Sequence, residues 1–117
     1  MQPNSDHPYA MAKRAGDFVF VSGALSVDRD YRPVTGRREA LAAALERLTE
    51  RLASAGGNLD QVVKLTYFVT DVTLREEANE QFVGHFTRAR PARTFLEASA
   101  LPYGATVEID AIAYVGE

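Results

Sequence analysis

The chain has 117 residues, of which 46% are apolar and 25% charged, with a formal charge of −3 and no cysteine. That length suits one domain, burying roughly two thirds of its unfolded surface, and excludes a second core; the missing thiols exclude disulfides, thiolate nucleophiles and the common zinc frameworks. An acidic balance whose basic clusters are as short as Lys13-Arg14 and Arg37-Arg38 is a poor footprint for RNA or DNA, and no run approaches the about 18 apolar residues of a membrane span.

Residues 1–7 are polar and read as a loose tail, lacking the basic start and apolar core of a signal peptide, so the cytosol is the expected compartment. A single domain is expected over 8–117. Ala15-Gly16-Asp17 is a turn signal and Phe18 to Ser22 a strand, so a hairpin begins the fold. Phe18 and Phe20 lie on one face of that strand, Val19 and Val21 on the other, which predicts cover on both sides. Residues 24–36 are irregular, broken by Asp28, Asp30, Pro33 and Gly36.

A helix is predicted from about Arg37 to Ala55, where Leu41, Ala44, Leu45, Leu48 and Leu52 recur at helical spacing while charged residues including Arg47 and Arg51 fill the other side. Gly56-Gly57 ends it. A strand follows over Gln61 to Thr70. Thr73 and Glu76 have capping-box spacing, and Ala78, Phe82 and Phe86 continue as a second helix of about three turns. Two further strand-like runs, Arg93 to Ala98 and Thr106 to Val115, flank a Leu101-Pro102-Tyr103-Gly104 turn. The order implies an α+β sheet with both helices on one face. Several strands are apolar on both sides, so the second face is expected to be buried against other subunits.

In the last run Val107, Ile109, Ala111 and Ala113 share a face, and Glu108, Asp110, Ile112 and Tyr114 share the other. Glu108 is thus a carboxylate inside an apolar strand, unfavourable to bury unless it is paired or holds a water; Arg93 is the cation to look for nearby. Arg93 offers a permanently charged planar fork suited to a carboxylate, or it simply pairs with Glu97 or Glu108. Tyr9 can wall a pocket or stand at a rim, Ser22 can donate or accept or merely close a strand, and Gly23 either permits close backbone approach or ends the strand. No base lies near Ser22 to make it a nucleophile. His7 and His85 are too few and too far apart for a metal site.

Pro91-Ala92-Arg93-Thr94, then Leu101-Pro102, then Val107-Glu108-Ile109-Asp110-Ala111-Ile112-Ala113 resembles the closing signature of the Rid (reactive intermediate deaminase, formerly YjgF) family, including the fifteen-residue spacing from arginine to glutamate. Pro8-Tyr9, Val21-Ser22-Gly23, Ala55-Gly56-Gly57 and Val62-Val63-Lys64 also fall where that family has similar residues, so the resemblance runs from about Pro8 to Val115. It implies a chorismate-mutase-like fold with a six-stranded, mostly antiparallel sheet, two helices on one face, and a homotrimer with sites in the clefts between subunits. It further implies that Arg93 clamps the carboxylate of a 2-imino or 2-enamino acid, that Glu108 and the Phe95 backbone carbonyl place a water, and that Tyr9, Ser22 and Gly23 line the pocket. The reaction would be hydrolysis of the imine to a 2-keto acid and ammonia, with neither cofactor nor metal.

The match departs at Ala10-Met11, in the short connection Thr87 to Arg90, and at Phe95, where the family usually has a small residue. Lys13 to Gly23 is similar to the branch that includes the 2-aminomuconate deaminases. A dedicated deaminase of that type is therefore one alternative, and a non-catalytic trimer binding a small carboxylate or a partner protein is another. Ribonuclease chemistry fits poorly with the acidic charge and the lack of a histidine or lysine pair.

Overall fold

The computed structural model describes residues 7–116, so the expected tail lies outside the described residues except for His7. The main elements are β1 Ala12–Ala15, β2 Phe18–Leu25, α1 Arg37–Ser54, β3 Val62–Val69, α2 Arg75–His85, β4 Ala92–Glu97 and β5 Val107–Tyr114. They build one sheet in the order β1-β2-β5-β3-β4, in which β3 and β4 run parallel and every other pair antiparallel. The sheet has five strands, not the six expected. The irregular stretch after β2 forms only an isolated bridge, Val27 to Pro33. There the Asp28 carboxylate accepts hydrogen bonds from the amides of Asp30 (2.8 Å) and Arg32 (3.0 Å), which curls the chain, and Pro33 brings no donor for a ladder.

The expected helix α1 forms because its apolar stripe, Ala40, Leu41, Ala44, Leu45, Leu48 and Leu52, is buried together. Gly56 ends it with φ 86°, letting the Gly57 amide donate back to the Leu52 carbonyl at 2.8 Å. The start of α2 differs from the expected Thr73/Glu76 box: Asp71 accepts from the Thr73 amide (2.9 Å) and hydroxyl (2.7 Å), capping a short 3-10 turn, and the helix proper begins at Arg75. Ala78 and Phe86 are buried and Phe82 packs beside them, at the four-residue spacing expected. Among the described residues no helix is long and apolar enough to cross a membrane.

Both helices cover the face formed by Val19, Val21, Leu65, Tyr67, Val107, Ile109, Ala111 and Ala113. Tyr67 is fully buried, donates to Gln81 Oε1 at 2.9 Å, and Gln81 Nε2 in turn donates to the Leu41 carbonyl at 2.8 Å, so β3, α2 and α1 share one hydrogen-bond chain. The opposite face is bare. Phe18, Phe20 and Tyr114 remain 41%, 46% and 39% exposed there, with Phe18 and Tyr114 in edge contact at 5.3 Å.

The helices are also tied by Arg37, which donates to the Glu77 carboxylate at 2.6 and 3.2 Å. The Arg37 hydrogen bond holds the Glu77 carboxyl at about 2, below its ordinary 4.5. A depressed carboxyl contributes stability that is complete above the unfolded value and is lost as pH falls through the folded one. Glu77→Gln is therefore expected to lower stability at neutral pH and to flatten the loss between about pH 4.5 and pH 2, read by urea titrations across that window.

Candidate functional site

The expected site residues separate into two clusters. The first is organised by a bulge in β2. Val21 pairs with Ala111 and Ala24 with Ile109, so three steps on β2 match two on β5 and the backbone at Ser22-Gly23 buckles. The Glu108 side chain lies directly against Gly23, and a Cβ there would overlap its carboxylate. Gly23 therefore serves close approach and does not end the strand, which continues to Leu25. Ser22 acts as a clasp: its amide donates to the Met11 carbonyl (2.9 Å) and its hydroxyl to the Ala10 carbonyl (2.7 Å). The clasp holds the segment carrying Tyr9, which is 52% exposed and stacks on His7 at 5.1 Å between ring centres. His7 also bonds the Tyr31 hydroxyl at 3.1 Å.

Glu108 itself is half-buried, and no hydrogen bond from another described residue reaches its carboxylate. Burial raises its pKa first, the neighbouring Asp110 raises it further, and Arg51 opposes both. A carboxyl moved upward in this way is suited to take a proton from water near neutral pH. Beside the bulge opens a cavity of about 210 Å³, whose lining includes Met11, Leu25, Tyr31, Arg47, Arg51 and Ser54.

The second cluster surrounds Arg93 on β4. Arg93 pairs with Leu65 of β3 and so projects onto the helix-covered face, whereas Glu108 pairs with Phe68 and projects onto the bare one. The anticipated proximity of Arg93 to Glu108 is not found within one chain. The two runs that carry them are not neighbours, because β3 lies between them. Nor does Arg93 pair with Glu97, whose carboxylate accepts from the Val72 amide at 2.8 Å. The guanidinium instead sits among three aromatic rings, 5.3 Å from Tyr67, 5.1 Å from Phe82 and 5.3 Å from Phe95. Its Nη2 donates to Asn79 Oδ1 at 2.7 Å, while Nη1 is buried without a partner. Burial pulls its pKa downward, but a guanidinium remains charged at any working pH.

Phe95 is thus a wall of the arginine cage, packed 6.0 Å from the Tyr67 ring. Its backbone and Glu108 lie two strand spacings apart, about 10 Å, too far for one water to touch both groups of the same chain. Two contributing residues escaped the sequence reading. Asn79 reads as an ordinary polar position on α2. Arg51, assigned there to the solvent side of α1, donates from Nη1 to the carbonyls of Ser22 (3.0 Å) and Gly23 (2.8 Å). Its spacing, three after Leu48 and seven after Ala44, was the signal that it borders the buried stripe.

The family described as Endoribonuclease L-PSP matches residues 1–115. A RutC family protein of Pyrococcus horikoshii is 33% identical over 96% of this chain and 90% of its own length. The crystal structure of RidA from the Antarctic bacterium Psychrobacter superposes with a TM-score of 0.86 at 32% identity, covering 94% of this chain and 90% of that one. Escherichia coli TdcF with bound serine gives a TM-score of 0.84 at 26% identity, again over 94% and 90%.

The seat of Glu108 on Gly23 is directly testable. Gly23→Ala is expected to swing the carboxylate off the bulge, because the flexible side chain yields before the sheet does. A crystal structure of that variant with Glu108 in its original position would contradict the assignment.

Proposed function

The chain belongs to the Rid (YjgF/RutC) family, whose model bears the description Endoribonuclease L-PSP, and we propose from its two clusters that it is an imine or enamine deaminase. The substrate would be a 2-imino acid, hydrolysed to a 2-keto acid and ammonia. The observation that carries this reading is the Arg93 fork: one arm is fixed by the neutral amide of Asn79, and the other, Nη1, is buried and has no acceptor. An unsatisfied buried donor is unfavourable, by about 1–3 kcal/mol, until an acceptor arrives. A substrate carboxylate is such an acceptor, and the partly buried Phe82 and Phe95 rings border the guanidinium. That TdcF holds serine supports a site of amino-acid size.

In this mechanism Arg93 binds the carboxylate and so orients the protonated imine carbon toward a water held by Glu108. As the water oxygen bonds to that carbon, Glu108 takes its proton and the C=N electron pair moves to nitrogen. Glu108 then returns the proton to the amine; as ammonia leaves, the hydroxyl oxygen forms the C=O bond of the 2-keto acid and gives its proton to Glu108, from which it passes to the ammonia. All atoms come from imine and water, so the steps need no cofactor.

Because Arg93 and Glu108 of one chain lie on opposite faces of the sheet, a complete site needs two chains. The bare face with Phe18, Phe20 and Tyr114 is the surface on which a homotrimer would close. A dedicated substrate of the 2-aminomuconate kind is the second reading, since the bulky Phe95 ring packs against Arg93. Phosphodiester cleavage finds no histidine pair here: His7 is engaged with Tyr31, and His85 is exposed on α2.

The test is the rate at which 2-imino acids, generated in place by an amino-acid oxidase, escape trapping by semicarbazide. Wild type should accelerate their loss, and Arg93→Ala and Glu108→Gln should each lower kcat/KM by about a hundredfold or more. No acceleration by wild type on aliphatic or aromatic imines would rule out a general deaminase. Phe20→Glu, outside both clusters, is expected to run as a monomer by light scattering and to lose activity together with assembly.

A further inference from the structure

Beyond Ser22 the first strand has no residues left to pair with β2, because its register ends at Ala12 opposite Val21. The carbonyls of Ser22 and Gly23 lie at the bulge where that pairing has ended. There α1 reaches round the sheet edge with Arg51, and one nitrogen, Nη1, bridges both oxygens at 3.0 and 2.8 Å. Two consecutive carbonyls held by one rigid planar group fix the direction in which the bulge buckles. The inner surface of that bulge is the Gly23 backbone on which the Glu108 carboxylate rests.

We infer that Arg51 is a positioning residue for Glu108, setting the carboxylate's seat through the Ser22-Gly23 bulge and supplying its counter-charge. It acts through the backbone, and its guanidinium bonds to carbonyl oxygens, so it is distinct from the carboxylate clamp Arg93. The charges acting on Glu108 are Asp110 on its own strand and Arg51 from α1; the neighbouring β3 position is Phe68 and the β2 position Leu25, neither of them titratable. Asp110 pushes the carboxyl upward and Arg51 downward, in addition to the upward effect of burial. The guanidinium is itself desolvated, which strengthens its action on a group across so short a stretch of backbone. Lysine could keep the charge but, as a point donor, would not bridge two oxygens in one plane.

This inference rests on reading Glu108 as the base of the deaminase, and its decisive measurement does not need turnover. The Glu108 carboxyl is titrated by carbon NMR in the full-length protein, comparing wild type with Arg51→Met and Arg51→Lys. In Arg51→Met the carboxyl should titrate at higher pH than in wild type and the Ser22 to Ala24 amide signals should move; in Arg51→Lys the titration should return toward wild type while the amide shifts persist. In the imine assay Arg51→Met should lower kcat roughly tenfold or more with KM within about twofold, and move the acid limb of the pH profile upward, since only the base is displaced. If Arg51→Met does not fold, Arg51→Gln, able to bond one carbonyl without charge, carries the same titration. An unchanged Glu108 titration in a folded, uncharged variant overturns the inference and leaves Arg51 as a strand-edge brace. Should wild type prove inactive on imines, the general-deaminase reading fails, and the titration still decides the role of Arg51.

Discussion

A buried phenol must find a partner, and the way Tyr67 finds one joins the fold to the site. Its hydroxyl reaches Gln81, and the Gln81 amide reaches a carbonyl of α1, so two hydrogen bonds lock both helices to β3. Loss of the hydroxyl would strand the Gln81 oxygen beneath the helices, at a cost of about 1–3 kcal/mol. The same burial pushes the Tyr67 phenol well above its ordinary pKa, so it stays a neutral donor at any working pH. Its ring forms one wall of the Arg93 cage. The arginine is therefore held by the same packing that stabilises the domain: Tyr67 beneath it, Phe82 and Asn79 from α2, and Phe95 from its own strand.

Local pattern carried a large part of this architecture. The alternation of Val107 through Tyr114 assigned the two faces of β5 correctly, and the apolar spacing from Leu41 to Leu52 located α1 and its buried side. Gly56 announced the end of that helix through the left-handed conformation it adopts. Long-range pairing left no such trace. Nothing local says that β3 inserts between β4 and β5, and that insertion is what parts Arg93 from Glu108. The residue pattern held five strands and an irregular stretch over 24–36, as the structure has it, where Asp28 gathers backbone amides into a turn; the sixth strand was implied by the resemblance alone. Asp71 displaced the expected cap for a similar reason, a nearer carboxylate in competition with a hydroxyl. At the site, Arg93, Glu108 and Gly23 were visible as residue types out of keeping with their strands. Asn79 and Arg51 were not, because a polar residue on an amphipathic helix is ordinary until its partner in space is known.

The separation of the two clusters follows from the period of a strand. Side chains alternate, so Arg93 on the helix-covered face and Glu108 on the bare face cannot meet without a change of register that would also expose the core. Each chain thus carries two clusters held apart: a caged cation at one edge of the sheet, and a seated carboxylate with its neighbouring serine and tyrosine on the other face. If clefts between chains join unlike halves, the genetics of the protein differ from those of an enzyme whose site lies within one chain. An allele lacking the cation and an allele lacking the carboxylate would each be silent alone. Co-expressed, they would assemble some clefts from the intact half of each, and activity would reappear in the heterozygote.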